Sequence, residues 1–443
     1  MSDLRNYISI IKKNHELKTI KKKVSTKYEI AAITAKVDGS YAVLFENIKE
    51  SKFRLVSNLV GTINRFAKAV GANESNIHEK VFSAIKHAKK PKIISSAKFM
   101  ENKSRNLSLL PIVTHFAKES GPFITSSIIF AKNPDTGSQN SSFHRLMPID
   151  KRHFSIRMVE GRHLHRFFVD AKEHGEDLKV AIAVGAHPAI SIAGAYQADW
   201  GKDEIDIANT LLKGKLHLAK CPYSELMIPA STEIVMEGRI LKDKTHKEWM
   251  VEMLQTYDHK RYQPVFELEH LYFRNEPIYH DILSGFSEHR LLMGMPIEAK
   301  LDGELKTEFP QTKKVSITNG GCNWLHVVIQ IKKKTQSEPK KIIKKAFSIH
   351  RSLKHVTVVD DDIDPNDPVE VEYAVATRFQ ANKDLVILEN VRGSSLDPSS
   401  DQKKLQTAKM GMDATKSFNK NHSGFEIAKI PKFESISLND YFK

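Results

Sequence analysis

The stretch "FITSSIIFAKNPDTGSQN", Phe123 to Asn140, decides how the middle of this chain is read. Its first half is rich in β-branched and aromatic residues, and its second half gathers Asn, Pro, Asp, Gly and Ser, so it predicts a strand followed by a tight reversal. Further strand-like pieces follow at "FSIRMV", "VAIAVG" and "PVFELEHLYF", separated by polar breaks. Strands at such spacing predict a barrel or sandwich with helical insertions. On either side the texture alternates. Toward the start, "DLRNYISIIKKN" and "VGTINRFAKAVG" carry helical periodicity around the strand-like "YAVLFEN". Toward the end, "WLHVVIQI", "KKIIKKAFSIH", "HVTVVDD" and "PVEVEYAVATRF" alternate strand and helix. With the polar "MENKSRNLSL" as a boundary, the expected division is an N-terminal α/β domain over 1–108, a central strand-rich domain over 109–300 and a C-terminal α/β domain over 301–443. The lysine-rich tail is expected to close in a short helix.

Composition bounds the function. The chain has 443 residues, 40% hydrophobic and 27% charged, which are values of a folded multidomain protein. Lys and Arg total 68 against 53 Asp and Glu, and the resulting +15 would attract anionic small molecules, an acidic surface or nucleic acid. The excess is scattered in runs such as "KHAKKPK" and "KKIIKK", without zinc-finger spacing, an RNP-like motif or an aromatic-interleaved basic repeat. A nucleic-acid binder is therefore a reading motivated by charge alone, and no nucleic-acid partner is expected. Cys221 and Cys322 stand alone, which fits a reducing compartment. The charged start lacks an apolar signal core and no apolar run approaches membrane-spanning length, so a cytoplasmic location without a membrane is expected.

Local motifs leave the chemistry open. "VVDDDIDPNDPVE" sets Asp360, Asp362 and Asp364 at the first ligand spacings of an EF-hand loop, but Pro365 stands where the loop needs glycine and Val371 where it needs glutamate. Acidic residues closing a strand are the better account. "GRHLHRFF" places His163 and His165 two apart, which on a strand would turn both imidazoles to one face as metal ligands; the other reading is ordinary surface or core histidines. "MEGRILKDKTHKEWMVEML", Met236 to Leu254, carries Glu248 and Glu252. If that segment is helical, Glu248, Glu252 and Gln255 form one solvated stripe; the other reading is a catalytic carboxylate pair.

Longer stretches carry a resemblance. "YAVLFENIKESKFRLVSNLVGT", "NPDTGSQNSSFHRLMPIDKRHFSIR", "LAKCPYSELMIPASTEIVMEGRI" and "HVTVVDDDIDPNDPVEVEYAVATRFQANKDLVI" together resemble the UbiD family of decarboxylases, which use prenylated FMN. The likeness covers nearly the whole chain. "PIYHDILSGFSEHRLLMGMPIEA", "TNGGCNWLHVVIQI" and "RGSSLDPSS" look like the family's archaeal branch of anhydromevalonate phosphate decarboxylases. The resemblance implies an α+β, three-part architecture: an N-terminal α/β domain, a central flavin-reductase-like split β-barrel, and a C-terminal α/β domain with a terminal helix. It also implies a homo-oligomer, dimer or hexamer, and a flavin prenyltransferase as supplier of the cofactor.

Site residues follow from the resemblance position by position. The family's metal-binding asparagine falls on Asn140, its histidine on His163 and its glutamate on Glu204, a donor set suited to Mn2+ or Mg2+, with K+ often nearby. The run holding Asn140, Ser142, Phe143, His144, Arg145 and Leu146 becomes the cofactor-binding strand, with His163, and Lys354 is a candidate for the cofactor phosphate. The family's acids fall on Glu248 and Glu252, but this chain reads "EWMVE" where the family has a glycine and a proline between them, as if one residue were deleted. Without those residues, "KEWMVEMLQTY" is free to be helical, which would rotate one carboxylate out of the site. The implied reaction is non-oxidative loss of CO2 from trans-anhydromevalonate 5-phosphate, giving isopentenyl phosphate. In it the cofactor takes the released electron pair, Glu252 returns a proton, and Arg145 with Glu248 orients the carboxylate. The alternatives are decarboxylation of an aromatic acid, or a flavin-binding homologue with impaired catalysis.

Overall fold

The computed structural model describes residues 3–426, 428 and 430–442. Its contacts divide into two units: residues up to 303 with 317–325 and 395–398, and residues 304–316, 326–394 and 399 onward.

In the first unit the opening stretch forms the strand Ile124–Lys132 and turns into the antiparallel strand Gln139–Pro148. The Asn133 side chain builds the reversal by accepting the N–H groups of Asp135 and Thr136, and Gly137 supplies φ +69°. Continuing antiparallel, Gln139–Pro148 pairs with His153–Ile156, which pairs with Arg261–Phe273. That strand pairs with Ile234–Glu248, then Leu178–Val184, and so back to Ile124–Lys132. Six strands thus close a barrel. Closure satisfies every edge and needs one close approach: a Cβ on Gly238 would lie 1.9 Å from the Glu267 carbonyl oxygen.

Alternation fills the barrel with Ile129, Leu146, Ile182, Met236, Phe266 and Leu268, all buried. The helix His163–Glu173 adds Leu164, Phe167 and Ala171 to this core, at helical spacing. "GRHLHRFF" is therefore the start of a helix and not a strand, and residues two apart on a helix diverge by about 200°, so His163 and His165 do not share a face. A four-stranded sheet runs in the order Leu17–Ile20, Ala42–Phe45, Arg54–Ser57 and Ile278–Asp281. Its last strand comes from beyond the barrel in sequence, a long-range pairing that local periodicity does not reveal.

The second unit carries strands in the order Thr312–Ile317, His326–Ile331, His355–Asp360, Gln406–Ala414 and Leu385–Arg392, with helices Glu338–Ile349 and Pro368–Arg378. Its acidic run is occupied: Arg378 reaches Asp360 at 2.7 Å and Asp362 at 2.8 and 3.0 Å, and Lys416 adds a contact to Asp362 at 2.6 Å. The expected terminal helix takes the form of single 3-10 turns at His422–Phe425, Phe433–Ser435 and Leu438–Asp440. Among the described residues, no helix is long and apolar enough to cross a membrane.

Candidate active site

One barrel strand, Gln139–Pro148, carries both halves of the site. At its start, Asn140 Nδ2 lies 2.6 Å from Glu204 Oε2 and 2.9 Å from His163 Nδ1. Asp203 caps the helix that presents Glu204 by accepting the Ile205 N–H, and Arg162 stands at the N-cap of the helix that presents His163. Glu204 is 2% exposed and accepts backbone N–H groups from Ser141 at 3.2 Å and Ala198 at 3.3 Å. No lysine or arginine pairs with it among the described residues. Burial, with Asp203 adding to it, pushes the Glu204 carboxyl up to about 8, and burial pushes Asp203 up to about 6. Burial also lowers the His163 pKa, helped by Arg166 and Arg162, so the imidazole stays neutral and able to bind a metal.

The donor chemistry suits a hard cation. A half-turn of the Asn140 amide would set an oxygen beside the carboxylate and imidazole. An uncompensated buried carboxylate is then the counter-charge a divalent ion requires. Among the described residues no three His, Cys, Asp or Glu side chains form a metal cluster; this group has two of them and an amide. A cavity of about 470 Å³ opens beside it, lined by Lys86, Lys90, Gln139, Tyr196 and Asp203 among others, and Arg145 is not part of that lining.

Five residues along the strand, roughly 17 Å at strand rise, stands Arg145. Its guanidinium forks onto Glu248, with Nε to Oε2 at 3.1 Å and Nη2 to Oε1 at 2.9 Å. Nη1 bonds Glu252 Oε1, and Nη2 also reaches Asp258 at 2.9 Å. Burial alone would lower the Arg145 pKa, but the charges of Glu252, Glu248 and Asp258 more than offset it and the net shift is upward. Burial likewise opposes, and Arg145 outweighs, in holding Asp258 below the usual carboxylate range. Glu248 closes its barrel strand and Glu252 sits in the loop beyond, where Val251 bridges Tyr257 and Gln255 takes φ +62°. The solvated helical stripe is thus overturned, and the helix that the missing glycine and proline left open does not form.

Between the two clusters, Ser142 Oγ lies 2.9 Å from His144 Nε2, and His144 Nδ1 lies 2.8 Å from the Arg157 carbonyl. Burial drives His144 down to about 4, so the neutral ring donates to the carbonyl and accepts from the serine. Phe143 is half-buried against the outer apolar core, and Leu146 is fully buried inside the barrel. Lys354 lies in the second unit, its ammonium on the Ser399 hydroxyl. Sequence reasoning missed Asp258, and it missed His289, which burial lowers to about 4 with Arg290 and Arg145 adding repulsion. Asp258 belongs to "LQTYD", next to the acids already singled out; nothing local marks His289.

Because Arg145 makes four charged contacts through one planar fork, Arg145→Lys keeps the charge but not the geometry. Urea unfolding should show a loss of about 1–3 kcal/mol, the scale of charged hydrogen bonds left unmade.

Family models for 3-octaprenyl-4-hydroxybenzoate carboxy-lyases match in three consecutive stretches: the N-terminal domain over 8–85, the Rift-related domain over 87–287 and the C-terminal domain over 290–414. The chain belongs to the UbiD family of carboxy-lyases. It is 36% identical over 99% of its length, and 100% of the relative's, to the anhydromevalonate phosphate decarboxylase of Methanothermobacter thermautotrophicus. To that of Methanocaldococcus jannaschii it is 38% identical, over 92% of this chain and 96% of the relative. Among solved structures, the UbiD-class enzyme HmfF from Pelotomaculum thermopropionicum in complex with FMN superposes with a TM-score of 0.95 at 37% identity, covering 99% of this chain and 100% of that one. An evolved dimeric form of HmfF in complex with prFMN gives 0.92 at 35% identity, covering 100% of both.

Proposed function

We propose that this chain decarboxylates trans-anhydromevalonate 5-phosphate to isopentenyl phosphate and CO2, with prenylated FMN as its resident cofactor. The observation that carries this reading is the single guanidinium of Arg145 shared by Glu248, Glu252 and Asp258, in a chain 36–38% identical to archaeal enzymes named for that reaction.

Asn140, His163 and Glu204 would hold a divalent ion, Mn2+ or Mg2+, with K+ nearby, and through it the phosphate end of the flavin. Five residues of extended strand separate that end from Arg145, about the reach of an extended mononucleotide. When bound, the prenylated flavin supplies the electron sink that an unactivated enoic acid lacks. The residues of this chain do the rest. Arg145 has one Nη1 N–H left to offer the substrate carboxylate. Both Glu248 oxygens are committed to the Arg145 fork and the side chain is 1% exposed, so Glu248 fixes the guanidinium. Glu252 is 24% exposed and bonds Arg145 through Oε1, which leaves Oε2 to deliver a proton to the carbon that loses CO2. The O–H bond of the acid breaks, a C–H bond forms, and the carboxylate regains its charge beside Arg145. A formal +15 draws in a substrate bearing both carboxylate and phosphate.

A flavin prenyltransferase is the supplier of the cofactor, and a homo-oligomer is the working assembly. Coexpression with such a transferase, followed by assay on the phosphorylated enoic acid, should yield isopentenyl phosphate and CO2 in equal amounts. Turnover of an aromatic acid with none of the phosphorylated substrate would overturn the assignment.

A further inference from the structure

A loop that lacks glycine and proline still holds Glu252 against Arg145, and its anchors lie about 130 residues away in sequence. Ser120 and Trp249 exchange three hydrogen bonds: Ser120 N–H to the Trp249 carbonyl at 3.1 Å, Ser120 Oγ to the same carbonyl at 3.0 Å, and Trp249 N–H to Ser120 Oγ at 3.1 Å. The Trp249 indole N–H donates to the Lys118 carbonyl at 2.6 Å. One residue before Glu252, the Val251 N–H donates to Glu119 Oε1 at 3.0 Å, while Glu119 Oε2 accepts the Phe116 N–H at 3.2 Å. The return limb is fixed by Asp258 N–H to the Met250 carbonyl at 2.8 Å, and Arg290 reaches the Met253 carbonyl at 3.4 Å.

These bonds hold the segment in a non-helical path. In a helix the Glu252 N–H would turn back to the Glu248 carbonyl; here it donates forward to the Thr256 carbonyl at 2.9 Å, while a serine hydroxyl and a carboxylate from outside the segment take the Trp249 and Val251 N–H groups. Glu119 grips the backbone at the residue next to the proton donor, whereas Ser120 grips it two residues earlier.

We infer that Glu119 is a positioning residue for decarboxylation, fixing Glu252 on Arg145 by holding the Val251 amide, with Ser120 as its second anchor. This rests on the reading of Glu252 as the proton donor. The position of the donor governs the proton-delivery step more than substrate capture. A displacement near 1 Å costs up to about 10²-fold in rate.

The test uses the full-length holoenzyme. Glu119→Ala should lower kcat about 10- to 100-fold, with KM and bound flavin changed by no more than about twofold. Glu119→Gln keeps one carbonyl acceptor, which can serve Val251 while the Phe116 N–H loses its own, and should recover part of the loss. Amide hydrogen exchange at Val251 should speed up in Glu119→Ala and stay near wild type in Glu119→Gln. If Glu119→Ala does not accumulate, Ser120→Ala is read in the same way. Unchanged kcat in Glu119→Ala, or equal losses of kcat, KM and flavin in both Glu119 variants, would overturn the inference and leave a strut for the fold as a whole. Should the wild type prove inactive on the phosphorylated acid, Val251 exchange still reports the clamp, so that failure counts against the proposed reaction alone.

Discussion

Glu252→Gln holoenzyme should lose about 10²–10⁴-fold in decarboxylation, the usual contribution of a positioned acid. Glutamine keeps the shape and the oxygen that faces Arg145 but cannot deliver the proton. Arg145 keeps its fork on Glu248 and its bond to Asp258. Stability should therefore move by no more than about 1 kcal/mol, as for a partly exposed ion pair. By microscopic reversibility the same acid exchanges the product's vinylic proton with solvent, so deuterium uptake from D2O should fall in step with kcat. Full activity in Glu252→Gln would move the proton donor elsewhere in the cluster.

Glu204→Gln should separate function from stability. Glu204 is 2% exposed without a cationic side chain beside it, and burial pushes its carboxyl up to about 8, so ionising it in the protein without metal is costly. Glutamine removes the buried charge but keeps a single acceptor oxygen, so it holds only one of the Ser141 and Ala198 N–H groups; the two effects oppose, and the metal-free protein should stay within about 1 kcal/mol of wild type in urea. The same change removes the one formal negative charge among the three donors. Metal and flavin retention should drop by at least about tenfold, and decarboxylation with them. A variant that is both less stable and fully loaded with flavin would contradict this account of the site.

How much of this was legible in the sequence depended on the range of the interactions. The barrel strands announced themselves by composition: "FITSSIIFAK" is buried on both faces, with Ile129 and Ala131 in one core and Ile128 and Phe130 in the other, so it reads as a β-branched and aromatic run ended by turn residues. In "GRHLHRFF" the shared face of the two histidines was conditional on a strand, and the deciding pattern is Leu164, Phe167 and Ala171, which is helical. Composition left the Glu252 loop free to be helical. Hydrogen bonds from Glu119 and Ser120 decide otherwise, and no local rule contains a partner that far along the chain. The share of Asp258 in the Arg145 cluster was hidden in the same way, because a carboxylate becomes part of a site only when the fold sets it beside its partner. The residue-by-residue resemblance pointed to Asn140, His163 and Glu204, and the fold sets the Asn140 amide within hydrogen-bond distance of the other two.

The central claim is that a cation held by an amide, an imidazole and a carboxylate anchors the flavin beside Arg145. Anomalous diffraction from the manganese-loaded holoenzyme tests it most directly. The account predicts one strong peak bonded to Asn140, His163 and Glu204 and to the flavin phosphate, with the ring system reaching the Arg145 cluster. A flavin bound without metal at those three residues, or a peak at another site, would contradict it.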